Sequence, residues 1–334
     1  MENNHNPKLT SSELASLWGQ YQNDTLSICV IPYFLNTVED SEISSILDYG
    51  LELAKDHIRV IEETLNAEQH PIPVGFSKQD VNVNAPRLFS DSFVLFYMTN
   101  MGTMGLNTYS IALPNSTRKD IRDFYTSCLY SSAELYNRSS DLMLKKGIMV
   151  RPPYVSYPEQ AEFVHKQHFL AGWIGEERPL TTIEISNLFF NLQRNALGNS
   201  LLTGFSQVAG SKDVRKYMVR GAEISKHHSA VFTKFLNNDN LPSPMTWDSQ
   251  PTRSKVAPFS DKLMMFHTTA LNAIGIGYYG ASLGLSPRRD LAAAYTRLIA
   301  EIGLYTEDGA NIMINNRWLE KPPSSPDRKG LAKG

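Results

Sequence analysis

An all-α fold of two tandem four-helix bundles is what this sequence predicts, and three observations carry that expectation. The stretch from Gly50 to Phe76 recurs at Gly221 to Trp247 with 9 identities in 27 ungapped positions, at a constant offset of 171 residues. Apolar residues return at 3-then-4 spacing, the mark of helices with one buried stripe. Each copy also breaks its helical pattern at length once, between its second and third helix; the first break holds Pro71, Pro73, Gly75 and Pro86. Four helices with a single long crossover is the ferritin-like arrangement. A repeat of this size is a domain, since solenoid units run about 20 to 50 residues.

In order, the first helix is expected from Thr10 to about Val38. Thr10, Ser11 or Ser12 serves as N-cap, and Leu14, Leu17, Tyr21, Ile28, Ile31 and Leu35 form the stripe. Pro32 inside it predicts a kink. Asp40-Ser41 starts the second helix, whose stripe runs through Ile43, Ile46, Leu47, Gly50, Ala54, His57, Ile61 and Leu65. A short connection makes the two an antiparallel hairpin. Ser90-Asp91 opens the third helix and Pro114-Asn115-Ser116 closes it; the fourth runs to about Lys146 with Tyr125, Leu129, Leu135 and Leu142 inward. The second copy repeats these signals at Leu180-Thr181-Thr182, Phe259-Ser260-Asp261 and Leu283 to Ser286, with the offset falling to 170 across the crossover.

A chain of 334 residues is longer than one core usually serves. The expected division is a first bundle over 1–153, a linker with a short helix near Glu159–Ala171 over 154–179, a second bundle over 180–321 and a tail over 322–334. Phe169 and Trp173 are large enough to dock the linker on a bundle. The tail is too rich in Pro, Ser and charge to order itself and is expected to be mobile. A net charge of -2 gives no field that would draw in nucleic acid or anionic lipid. Two cysteines, Cys29 and Cys128, and an opening MENNHNPKLT with neither basic start nor apolar core fit a reduced, cytoplasmic setting without a signal peptide.

The chemistry associated with this arrangement is a di-iron centre built from glutamates and Glu-x-x-His pairs on facing helices. Here the second helices read Glu52-x-x-Lys55 and Glu223-x-x-Lys226, with a lysine in place of the histidine, and the fourth helices carry Glu134 and Glu301 without histidine. A cation at that position would repel a metal, so no metal and no cofactor are expected. If an ion binds nonetheless, Glu52, His57, Glu223 and His228 are the candidate ligands. His57 and His228 lie on buried stripes, and the hairpins bring them near Asp24 and Asn195. Each pair is expected to be a buried hydrogen bond fixing helix register, with a ligand or proton-transfer role as the other reading. Glu162-x-x-His165 falls in the linker, where a solvated face is expected.

The third helices lack charge altogether from Ser92 to Thr117 and from Leu263 to Pro287. Asn100, Asn107, Thr99 and Thr103, with His267 and Asn272 in the other copy, make stable membrane insertion costly. These helices are instead expected to be covered on every side, meeting each other or a protein partner through small residues such as Gly275, Gly277 and Gly280.

Several longer runs carry a resemblance. They are Arg178-Pro179-Leu180-Thr181, NLQRNALGNSLLTGFSQVAGSKDVR at 191–215, LPSPMTWDS at 241–249, PFSDKLMMFHTTAL at 258–271, SPRRDL at 286–291 and EDGANIMI at 307–314. With them the chain resembles the bacterial domain-of-unknown-function 3231 family, tandem ferritin-like proteins of spore-forming bacteria similar to spore coat protein F. The resemblance implies a structural or interaction role, with a spore or spore-coat context, and supplies no catalytic residues. The alternative function is a ferritin-like metal-binding oxidoreductase with an unconventional ligand set.

Overall fold

The computed structural model describes residues 7–172, 178–244 and 250–332. The first repeat holds α1 (Ser11–Thr37), α2 (Ser41–Ala67), α3 (Asp91–Ala112) and α4 (Lys119–Lys145). The second holds α5 (Thr182–Val208), α6 (Lys212–Asn238), α7 (Asp261–Leu285) and α8 (Arg289–Asn315). The fold is all-α, two four-helix repeats in tandem, and the long connection falls between the second and third helix of each, as expected.

The predicted caps are in place because each satisfies backbone N–H groups that a helix start leaves free. Thr10 and Thr181 form capping boxes with Glu13 and Glu184, and Ser90 and Ser260 accept from the N–H of Phe93 and Leu263. The α2 stripe buries every residue assigned to it. In α1 the helix runs on through Pro32, and burial extends beyond one stripe to Leu26, Cys29, Val30, Tyr33 and Phe34.

That wider burial has a tertiary cause. Phe34 and Phe89 meet edge to face at 6.4 Å, and their counterparts Phe205 and Phe259 do so at 6.1 Å. Phe89 also reaches Phe205 at 6.4 Å, and Tyr33 meets Phe259 at 5.2 Å, so the two repeats share one aromatic core. Around it the crossovers pair reciprocally. The backbone bridges are Val81 with Phe259 and Phe89 with Pro251, which are the same contact made twice under exchange of the repeats. Asn82 N–H donates to Pro258 O at 2.7 Å, and its counterpart Thr252 N–H donates to Leu88 O at 2.8 Å. Farther out, Gln22 Nε2 donates to Glu320 at 2.6 Å, and the matching Gln193 Nε2 to Val150 O at 3.1 Å. The crossovers are thus related as the halves of a two-fold dimer written as one polypeptide, with isologous contacts between them.

At the opposite end of each bundle a buried carboxylate ties the first helix to the last. Glu13 accepts from the N–H of Thr10 at 2.7 Å, Thr117 at 2.7 Å and Arg118 at 2.8 Å. Glu184 does the same for α5 and α8, and adds Arg178 at 2.8 Å. Gly50 and Gly221, shared by the repeats, mark close approach: a side chain there would strike Met98 or Tyr305.

Three expectations are corrected. The third helices are not covered on every side: α3 and α7 bury their first halves, around Phe93 to Met98 and Leu263 to Thr268, whereas Ile111, Gly277 and Gly280 face out. α3 and α7 do touch, through Tyr97 with His267 and Asn107 with Tyr278, but nothing lies within 4 Å of a Cβ placed on Gly275, Gly277 or Gly280. The linker helix is also absent at Glu159–Lys166, where no apolar stripe exists to bury; one 3-10 turn spans Gln167–Leu170. Arg178 stacks on the Phe169 ring at 4.0 Å, while Trp173 lies outside the described residues. In the tail, residues 322–332 are exposed, with a helical turn at Arg328–Leu331. Among the described residues no helix is long and apolar enough to cross a membrane.

Two consequences can be measured. Glu13→Gln should destabilise the fold by about 2 kcal/mol in denaturant melts, because a hydrogen-bonded charge is lost from a closed site. Burial opposes ionisation of Glu13, but the backbone donors of Arg118, Thr10 and Thr117 lower its pKa from 4.5 to about 2. A depressed carboxyl stabilises above its unfolded pKa, so the difference between the wild type and Glu13→Gln should be full above pH 4.5 and fade as pH falls toward 2. In contrast, Gly277→Ala and Gly280→Ala meet open space and should each raise stability by about 0.5 to 1 kcal/mol, read as a higher denaturation midpoint.

Candidate functional site

Each bundle has a polar centre, and the helices deliver matching residues to both. In the first, α1 supplies Gln20 and Asp24, α2 supplies His57, α3 supplies Tyr109, and α4 supplies Tyr125 and Cys128, all buried. His57 Nδ1 stands 3.3 Å from Asp24 Oδ2, an ion-pair distance whose angle is not that of a directed hydrogen bond. Gln20 Nε2 donates to Tyr109 OH at 3.2 Å and faces Cys128 Sγ at 3.8 Å. The edges of Tyr109 and Phe124 close on the imidazole, each at 5.8 Å between ring centres.

Burial alone would lower the His57 pKa, but Asp24, and behind it Cys128, raise it from 6.5 to about 10. Asp24 is itself raised, chiefly by burial, with His57 and Gln20 pulling the other way. Both shifts mean that the pair holds a single proton tightly through neutral pH.

The second centre is organised differently. Asn195 does not meet His228 directly; Tyr279 stands between them. Asn195 Nδ2 donates to Tyr279 OH at 2.6 Å, and Tyr279 OH lies 3.0 Å from His228 Nδ1. On its far side His228 Nε2 lies 3.1 Å from Glu301 Oε2, whose side chain is 38% exposed. The consistent assignment has Tyr279 donating to Nδ1 and Nε2–H donating to Glu301, a neutral imidazole. Burial lowers the His228 pKa, and Glu301 opposes that shift without overcoming it. Replacing Asp24 by its counterpart Asn195 thus changes a proton-holding pair into a neutral chain.

The glutamates and lysines assigned to the metal motif do not belong to either centre. Glu52 and Lys55 pair with each other at 2.7 Å on the outside of α2, with side chains 68% and 55% exposed; Glu223 and Lys226 are likewise exposed. Five residues separate Glu52 from His57, which turns them about 140° apart on a helix of 3.6 residues per turn. Glu52, His57, Glu223 and His228 therefore do not converge. The lysines, being outside, have no bearing on ions at the centre. Among the described residues no group of three or more His, Cys, Asp or Glu side chains is placed to hold a metal ion. Glu162 and His165 are exposed, as expected for a solvated segment. Tyr109 and Tyr279 were legible as a matched pair at offset 170 on otherwise charge-free helices. The partnership of His228 with Glu301 was not, since Glu301 has Ser131 at the matching position of the first repeat.

Fold and centres together define a class: duplicated helical-bundle proteins whose crossovers pair across a two-fold axis and whose halves each hold a polar centre. The chain belongs to the family described as Protein of unknown function (DUF3231), whose family model matches residues 1–161 and again residues 168–331. A solved structure from Bacillus halodurans, described as a candidate spore coat protein, is similar with 20% identity and a TM-score of 0.40; the match covers 45% of this chain and 98% of that one. No curated protein matches the chain.

The difference between the centres can be tested by making the first resemble the second. Asp24→Asn should bring the His57 pKa from about 10 down to below 6.5, followed by imidazole NMR titration. A histidine that binds its proton more tightly when folded stabilises fully below its unfolded pKa. That contribution should fade as pH rises from 6.5 toward 10 in the wild type and should be lost in Asp24→Asn. A His57 pKa unmoved by the substitution would assign the shift to Cys128 instead.

Proposed function

We propose that this chain is a non-enzymatic structural or interaction protein of ferritin-like fold, acting in the cytoplasm of a sporulating cell or in the spore coat. The observation that carries the reading is that the polar side chains of each centre are spent on one another. Their polar side chains face one another behind the rings of Tyr109, Phe124, Tyr279 and Tyr295, and the remaining glutamates of the expected ligand set lie on the surface. Polar networks of this kind specify one packing of helices. Duplication adds a second support: Leu144 and Ile314, at matching positions of α4 and α8, are 45% and 57% exposed, so one chain presents like faces twice. Paired faces suit an assembly in which each contact reinforces the next. The spore context rests on the family resemblance.

Metal analysis of the purified full chain separates this reading from the oxidoreductase. Iron and manganese well below one equivalent, unchanged when His57→Ala and His228→Ala are combined, are expected. Stoichiometric metal lost in the double variant would favour the enzyme. In the organism that carries the gene, the tagged chain should be recovered from coat extracts of purified spores, and its absence there would remove the spore context.

A further inference from the structure

The second repeat holds a partly open cavity of about 70 Å3 between α5, α6, α7 and α8, which reaches Asn100 of α3 and is bordered by Asn195, His228 and Tyr279 of the second centre. One water needs about 10 to 15 Å3, so the space holds several waters or one small molecule. Its walls carry a cation without a counter-charge. Arg194, on α5, donates to Asn100 Oδ1 at 2.9 Å and lies over the Tyr278 ring at 4.3 Å, and no carboxylate pairs with it among the described residues. Desolvation by the surrounding protein lowers its pKa from the ordinary guanidinium value. A half-buried guanidinium with only neutral partners gains from an anion beside it, since part of its hydration is lost without a counter-charge.

Two further atoms of the lining are unsatisfied. Asn272 Nδ2 is a buried donor that faces Tyr217 OH without a well-directed hydrogen bond, and Asn191, 1% exposed, donates its amide to Asn187 O at 2.9 Å and Ser282 Oγ at 2.8 Å while its Oδ1 stays unpaired. Glu301 is paired with His228 and does not line the space. The feature belongs to one repeat alone: where the second has Arg194, Thr268 and Asn272, the first has Asn23, Met98 and Gly102, and Gly102 packs against the backbone of Tyr136.

We propose that this cavity is a binding site for a small oxyanion, a carboxylate or phosphate of a few heavy atoms, held by Arg194 and Asn272. Charge-assisted bonds from the guanidinium fork supply the affinity. Asn272 Nδ2 adds a neutral donor, and Asn191 Oδ1 accepts from a hydroxyl of the ligand or from a water beside it. The site borders the second centre but uses Arg194 and Asn272, which the structural role proposed above does not, so anion binding can fail without touching that reading.

The test titrates the full chain with sodium acetate and, separately, with sodium phosphate, at constant ionic strength made up with chloride. Binding is followed by calorimetry and by thermal melting. Saturable binding of at least one anion near one equivalent is expected. Arg194→Gln should weaken it by about 10- to 100-fold, the size of a lost charge-assisted hydrogen bond. Because that variant also removes an uncompensated half-buried charge, its melting temperature without anion should be no lower than that of the wild type. Asn272→Leu provides a second arm if Arg194→Gln does not fold, and should weaken binding about 10-fold for the loss of one donor. The absence of saturable binding for both anions, or binding unchanged in the folded variants, would overturn the proposal.

Discussion

The reciprocal pairing of the two crossovers is the constraint on which the rest of the structure depends. Each is a long segment without helical hydrogen bonding of its own, and its backbone groups need partners once covered. Here each crossover supplies them to the other: Asn82 to Pro258 and Thr252 to Leu88 are one contact made twice. The bridges set Phe89 and Phe259 against Phe205 and Tyr33, and the aromatic core between the repeats forms around them. Neither repeat retains an independent core at this end, which explains why α1 and α5 are buried far beyond a single stripe.

Symmetry holds at the paired crossovers and relaxes inside the bundles. The carboxylate ties of Glu13 and Glu184 are alike, as are the tyrosines that close each centre. The polar groups they enclose differ. Asp24 gives the first centre a proton that burial cannot easily release, whereas Asn195 and Tyr279 leave His228 neutral and linked to Glu301. Met98 and the close packing of Gly102 on Tyr136 fill the first bundle where the second leaves space beside Arg194. A duplicated chain can diverge in this way because each half is held by the same interface, so a change in one centre leaves the assembly of the two intact.

Much of the fold was legible in the sequence because its signals are local. Helix starts were marked by Thr10, Ser90, Thr181 and Ser260, whose side chains satisfy the N–H three residues on. The α2 stripe was readable because its one inward face meets only its own bundle. The centre was legible by residue but not by partner. The reasoning that put His57 near Asp24 expected a hydrogen bond, and the two stand at 3.3 Å without a directed one; it also put Asn195 against His228, and a tyrosine from a helix distant in sequence came between them. The Glu-x-x-Lys motifs were misplaced for a simple reason: a motif fixes relative positions along a helix, whereas the face turned inward depends on what packs there. Glu52 and Lys55 share a face, and that face is the wet one.

By itself the sequence determined the helices, their caps, the duplication and the two long crossovers, because each rests on spacing or chemistry within a few residues or on one copy matching the other. Tertiary structure alone decided that the crossovers pair with each other, that the third helices leave one face to solvent, and that Arg194 lies beside a cavity without a carboxylate. Those outcomes depend on which surfaces meet across more than a hundred residues of chain, and no periodicity within a helix records its neighbour.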